Sequence, residues 1–129
     1  MIAIDTSAIM AILLNEPDAD ACIAAIEAEE DIIISSATLA ETLIVAGRRN
    51  IGMEAASLID GLGLEVASVT PASAKRVADA YAKWGKGLHP AGLNFGDCFA
   101  YELAREHACS LLFVGDDFSQ TDMSGFRQM

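Results

Sequence analysis

Basic residues are scarce in this chain. Eight Lys and Arg stand against nineteen Asp and Glu, for a formal net charge of -11, and such a balance excludes passive adhesion to nucleic acid or anionic lipid. A polyanionic partner would need a local basic surface or a bridging cation. Cysteines are few and odd in number. Cys22, Cys98 and Cys109 have neither the close pairing of a metal site nor the even framework of a disulfide scaffold, so they read as small apolar core residues in a reducing compartment. Of the two histidines, His89 falls in a loop and His107 late in a helical pattern, so they form no ligand pair. Long hydrophobic runs are absent as well. The apolar stretch "AIMAILL" at 8 to 14 is too short to cross a bilayer, and the N-terminus lacks the basic lead-in and cleavage site of a secretory signal. A cytoplasmic protein without a membrane partner is expected. No proline-rich, serine-rich or repetitive tract points to disorder.

What is present is apolar and periodic. Hydrophobic residues make up 53% of the 129 residues, enough for one domain over 1–129 with one core and too little for two. "MIAI" is a wholly apolar run that stops at Asp5, and "IIIS" at 32 to 35, "LEVASV" at 64 to 69 and "LLFV" at 111 to 114 repeat the pattern. Such runs suit strands buried on both faces of a parallel sheet. Between them the helical period predicts helices near 7 to 15, 19 to 29, 37 to 49, 53 to 61, 72 to 84 and 95 to 108. Strands alternating with helices indicate an α/β sandwich with a mostly parallel central sheet. The tail "TDMSGFRQM" leaves room for a last edge strand near Phe126.

The acids fall in a pattern. Asp5 ends the first strand, Asp116 and Asp117 follow "LLFVG", and Glu41 and Asp97 stand near the starts of helices. In a parallel sheet these places share the rim at the carboxyl ends of the strands, where ligands bind. Each acid also has a plain structural explanation. Thr38 with Glu41, and Asn94 with Asp97, have capping-box spacing; Asp5 suits an N-cap, and Asp116 and Asp117 suit a turn. Capping does not explain why four acids from distant parts of the chain converge. Two carboxylates about 4 Å apart repel by roughly 4 kcal/mol at an effective dielectric near 20, a heavy load for a domain stable by about 5 to 15 kcal/mol. Protonation, intervening water or a cation can relieve it. Oxygen donors without nearby His or paired Cys suit Mg²⁺ or Mn²⁺ rather than zinc, and a site of that kind suits phosphodiester hydrolysis. Around Asp97, Phe95, Cys98 and Phe99 are expected to anchor the helix in the core while Gly96 removes bulk beside the acid.

Four segments carry a family resemblance: "IDTSAIMAILLNEPDA", "ISSATLAET", "GKGLHPAGLNFGDCFAYELA" and "LLFVGDDFSQTDM". In this order and spacing the chain resembles the PIN-domain ribonucleases, and within them the VapC toxins of toxin-antitoxin pairs. The resemblance implies a three-layer α/β/α fold and an acidic Mg²⁺ or Mn²⁺ site that hydrolyses RNA. It implies catalytic and metal-binding roles for Asp5, Glu41, Asp97 and Asp117, with Thr6 and Ser7 supporting by orienting a ligand or water. Relatives often read Gly-Asn-Asp-Phe after a lysine at the last acid, whereas this chain has Val114 and Asp116 in place of the lysine and asparagine. Asp116 is thereby a further metal-ligand candidate. The family also implies a VapB-type antitoxin that covers the acidic groove, often with an arginine, and a homodimer, for which an apolar face in the 37 to 61 region is the candidate interface.

Four of the eight cations, Lys75, Arg76, Lys83 and Lys86, cluster just before the Asp97 loop with Trp84 among them. Lys83, Trp84 and Lys86 are therefore candidates to contact RNA, although Trp84 is equally suited to core packing and the lysines to a solvated helix face. Arg48, Arg49 and Arg105 suit solvent or the antitoxin. Two other readings compete. A phosphotransfer domain with strand-end aspartates is disfavoured because "DTSAI" lacks a second acid two positions on and "LLFV" carries no strand-end lysine. A non-catalytic PIN-like binding module is disfavoured because all four acids remain.

Overall fold

The structure, a computed structural model, describes residues 1–123 and the backbone of residues 126 and 127. Five strands form one sheet in the order β3-β2-β1-β4-β5: β1 (Ile2–Ile4), β2 (Ile32–Ser35), β3 (Glu65–Ala67), β4 (Ser110–Phe113) and β5 (Phe126–Arg127). Every neighbouring pair is parallel. The helices are α1 (Thr6–Leu13), α2 (Ala19–Glu27), α3 (Ser36–Arg48), α4 (Gly52–Leu62), α5 (Pro71–Trp84) and α6 (Phe95–Glu106).

The apolar runs work because alternate residues face opposite layers. Ala3, Ile33, Leu111 and Phe113 pack in one core with Val77 of α5 and Cys98, Tyr101 and Leu103 of α6. Their neighbours Ile2, Ile4, Ile32, Ile34 and Leu112 pack on the other face with Ile9 of α1 and Cys22 and Ile26 of α2, and Leu58 and Ile59 of α4 lie against the same core. Three layers result. A third small cluster, Met10, Ala46 and Ala55, joins α1, α3 and α4.

The predicted elements are observed with small shifts at their ends. The "LEVASV" segment is strand only over Glu65–Ala67, because it lies at the sheet edge with two of its three residues exposed and the backbone N–H of Val69 donates instead to the Ser36 hydroxyl. The last long helix stops at Glu106, since Ala108 turns into the left-handed region at φ 50°. Gly63, at φ 67°, ends α4 in the same region, where a glycine carries no Cβ penalty. The expected edge strand near Phe126 pairs with Leu112 and Phe113 of β4. Among the described residues no helix is long and apolar enough to cross a membrane.

Topology places the site. The chain lays β1, β2 and β3 outward in one direction, then returns to set β4 on the other side of β1. The order therefore reverses between β1 and β4, the position where open parallel sheets form a crevice at their carboxyl ends. Asp5 follows β1 there, and its N–H donates to the Leu112 carbonyl of β4 at 3.0 Å.

Leu112, fully buried in β4, tests how far the rim depends on the sheet. Leu112→Ala is expected to lower stability by about 2 to 5 kcal/mol, read by urea unfolding.

Candidate active site

Asp5 is buried, 4% exposed, and caps α1. Its Oδ2 accepts from the Ser7 N–H at 3.1 Å and the Ser7 hydroxyl at 2.6 Å. That hydroxyl oxygen also accepts from the Val114 N–H at 3.0 Å, so one serine ties the acid after β1 to the chain leaving β4. The other carboxylate oxygen, Oδ1, is buried and has no hydrogen-bond partner. Capping thus uses half of this carboxylate.

Glu41 is held differently. The N-cap of α3 is Ser35, whose hydroxyl accepts from the Ala37 N–H, so the expected Thr38–Glu41 capping box does not form. Ser35 ends β2 in extended geometry and leaves Thr38 already inside the helix. Glu41, one turn further on, turns its carboxylate to the first strand's end, where Oε1 accepts from the Thr6 hydroxyl at 2.7 Å. Thr6 in turn contacts the fully buried Thr42 hydroxyl at 3.0 Å. The Thr6 proton goes to Glu41, and the single Thr42 proton is shared between Thr6 and the Thr38 carbonyl, which lies closer at 2.8 Å and can only accept. Thr42 was not singled out from the sequence, where a threonine beside a glutamate on a helix carries no distinguishing signal.

The Asn94–Asp97 box does form. The Asn94 side chain accepts from the Asp97 N–H at 2.8 Å, and Asp97 Oδ2 accepts from the Asn94 N–H at 3.0 Å. Asp97, 8% exposed, is at once a helix cap and a member of the rim. Gly96 serves Glu41 rather than Asp97: a Cβ there would overlap Glu41 Oε2 and stand 2.7 Å from its Cδ. Cys98 is buried as expected, but Phe95 is not a core anchor. It is 71% exposed, because it opens α6 at the rim and the buried face of the helix begins only at Asp97.

The acids bear on one another through their charges. Burial pushes the Asp5 carboxyl from its ordinary 3.8 up to about 6 against the lowering effect of the Ser7 bonds, and Glu41 adds to the rise. Burial likewise raises Asp97 to about 7, opposed by the Asn94 cap and reinforced by the charges of Asp5, Asp117 and Glu41. Asp117 is exposed on the loop after β4. Asp116 beside it is exposed too, and its carbonyl accepts from the Ser119 N–H and hydroxyl, closing the turn.

Among the described residues no group of three or more His, Cys, Asp or Glu side chains is gathered at metal-ligand spacing. Mg²⁺, which keeps several waters and takes only one or two carboxylates directly, would not require such a group. The unpartnered buried Oδ1 of Asp5 is the atom that such an ion would satisfy, and Asp97 keeps the oxygen that its cap does not use.

The basic segment is largely committed elsewhere. Arg76 pairs with Glu102 at 3.6 Å and Glu106 at 3.2 Å, and Arg105 with Asp122 at 3.5 Å. The Trp84 indole N–H donates to the Tyr101 hydroxyl at 3.0 Å, His89 meets its ring edge-on, and the Lys83 ammonium lies 4.9 Å from the ring centroid. Trp84 therefore takes the packing role. Lys86 is exposed, with its backbone N–H bonded to the Leu93 carbonyl.

Comparison with known proteins agrees with the fold. The PIN domain family profile matches residues 2–123. Ribonuclease VapC30 of Mycobacterium tuberculosis is 40% identical over 124 residues, which cover 94% of this chain and 95% of that protein. Ribonuclease VapC of Mycolicibacterium smegmatis is 42% identical over 128 residues, covering 94% and 96%. The crystal structure of Mycobacterium tuberculosis VapC20, described as a toxin that cleaves the sarcin-ricin loop, superposes with a TM-score of 0.80 over 99% of this chain and 100% of that one, at 16% identity.

Two outcomes follow from the site's geometry. Gly96→Ala is expected to displace the Glu41 carboxylate and weaken divalent-ion binding with little loss of fold, measured by calorimetric titration of Mn²⁺ beside a thermal melt. The raised carboxyls make the metal-free protein sensitive to pH in a definite direction. Between the ordinary 3.8 and about 7 the folded chain keeps protons that the unfolded chain has released, so stability falls as pH rises through that window and levels off above it. Urea unfolding in EDTA from pH 4 to pH 8 reads this slope, and Asp97→Asn is expected to flatten it.

Proposed function

The chain belongs to the PIN domain family, and from that premise we propose that it is a divalent-metal-dependent endoribonuclease that hydrolyses RNA phosphodiester bonds as the toxin of a toxin-antitoxin pair. The observation that carries the reading is the buried, unpartnered Oδ1 of Asp5 at the sheet's switch point, within electrostatic reach of other rim acids. The relatives named as ribonucleases, with about 40% identity over nearly the whole chain, support the reaction class.

In this reading Asp5, Glu41, Asp97 and Asp117 would hold the ion, with Asp116 as a further acid at the loop. Mg²⁺ or Mn²⁺, when bound, would supply Lewis-acid polarisation of a phosphoryl oxygen and activation of water. The chain's own residues set the stage for that chemistry. Ser7 donates both its N–H and its hydroxyl to one oxygen of Asp5, which fixes the plane of the carboxylate and turns Oδ1 inward. Thr6 holds Glu41 as an acceptor, so its remaining capacity can orient a water or take up a proton. The roles of Thr6 and Ser7 are thus to position acids, and the Asn94 cap does the same for Asp97. Lys86 remains a candidate contact to the RNA backbone beyond the acidic rim.

The partners fit the same reading. Solved relatives of the same fold include a VapBC2 complex of Rickettsia felis bound to a promoter DNA fragment, at a TM-score of 0.72 and 15% identity, and a VapB-type antitoxin is the corresponding partner proposed here. A basic inhibitor segment suits a rim of four carboxylates. Leu43 and Met53, 39% and 85% exposed, belong to the apolar 37 to 61 region proposed as a homodimer interface. The cytoplasm is the compartment in which RNA and such an inhibitor would meet.

Asp5→Asn and Asp97→Asn are each expected to abolish Mg²⁺-dependent cleavage of RNA while the fold persists, checked by electrophoresis and circular dichroism; equal activity in both variants removes the assigned site. Mg²⁺ at a hundred times its dissociation constant is expected to stabilise the wild-type fold by about 2.7 kcal/mol. In a thermal-shift titration Asp5→Asn should lose most of that gain.

A further inference from the structure

We propose that Phe95 is the platform on which an unpaired base of the substrate stacks beside the acid rim, so that the site takes single-stranded RNA. The proposal rests on the ribonuclease reading above and names how that substrate is held.

A large aromatic ring is costly to leave in water, yet Phe95 is 71% exposed, the most exposed aromatic among the described residues. It opens α6 two residues before Asp97. Phe99 buttresses it from the next turn, with ring centroids 4.9 Å apart and planes at 84°. A perpendicular contact of that kind steadies the ring without covering both aromatic faces. Beside it lies an open cavity of about 370 Å³ whose walls include Ala37, Glu41, Ile44, Phe95, Gly96 and Phe99. The lining is apolar except for one rim carboxylate, that of Glu41. A base stacked on Phe95 therefore brings its flanking phosphodiester to the side where Glu41 and Asp97 stand.

Charge gives the second argument. Asp97 and Glu41 stand beside the ring, while Arg76 and Arg105 are engaged in ion pairs and Lys83 lies over Trp84. Near the acids the protein has little cationic grip of its own to offer a phosphate chain. Stacking supplies affinity without charge, and every base has a face to offer. In a duplex those faces are covered by neighbouring bases, which is why aromatic platforms select single strands.

The test uses the full chain and a mixed-sequence, single-stranded RNA hexamer with 2-aminopurine at its centre, mixed rapidly in Mg²⁺ before cleavage and again in EDTA. Wild-type protein should quench the 2-aminopurine and bind the same strand much more weakly when it is paired in a duplex. Phe95→Ala should lose the quenching and weaken binding by roughly 5- to 150-fold. Phe95→Trp should keep both, and Phe95→Leu, equally apolar but without a π-face, should behave like Phe95→Ala. Wild-type binding by Phe95→Leu overturns the proposal. So does an antitoxin complex, or a dimer of this chain, that is lost in Phe95→Ala while RNA binding is unchanged, since the ring then belongs to a protein interface. Cleavage separates this idea from the one beneath it. Unchanged KM and rate in Phe95→Ala remove the platform and keep the nuclease, whereas quenching by a wild-type protein that cuts no RNA keeps the base site and removes the nuclease.

Discussion

Like charges held together against their repulsion are the constraint on which the rest of this molecule depends. Glu41 lies close enough to raise the Asp5 carboxyl, and Asp5, Asp117 and Glu41 close enough to raise that of Asp97, although folding could have spread them apart. The parallel sheet prevents that. With every strand pointing the same way, the chain leaves β1, β2 and β4 on one edge, and the reversal of strand order between β1 and β4 leaves a crevice for the side chains there. Neutral hydrogen bonds then lock the acids: Ser7 on Asp5, Thr6 on Glu41 and Asn94 on Asp97. None of these partners carries a charge, so the site keeps its negative potential while its geometry is fixed.

The same residues serve helix formation and chemistry together. Asp5 and Asp97 cap α1 and α6, and each cap uses one carboxylate oxygen and leaves the other. Capping near a helix N-terminus favours the ionised form, whereas burial opposes it. For both acids burial wins, and the two carboxyls hold their protons to higher pH than an exposed aspartate would. A dication bound there, as proposed, would offset both the repulsion and the desolvation cost.

The sparse cations explain how an acidic protein can address RNA. Of the basic segment, Arg76 joins α5 to α6 through Glu102 and Glu106, and Lys83 lies against Trp84 within α5. Recognition at the rim then falls to a bridging ion and to apolar contact with bases, both of which act at short range. Such a surface discriminates by shape and strand state more than by attraction from a distance.

The sequence by itself determined the class of fold and named the candidate acids of the rim. Short apolar runs ending in acids announce parallel strands, because only a strand covered on both faces is apolar throughout, and Asp5 and Asp116–Asp117 could be placed from those endings alone. Local pattern was weaker where two local explanations competed. Thr38–Glu41 and Asn94–Asp97 look alike as capping boxes, yet only the second forms, because the end of β2 makes Ser35 the cap of α3. The exposure of Phe95, the carboxylate that fills the space beside Gly96 and the Thr42–Thr6–Glu41 chain of hydroxyls were decided by tertiary structure alone. Each depends on the distance between residues far apart in the chain, and that distance is set by how the layers pack, which no local spacing encodes.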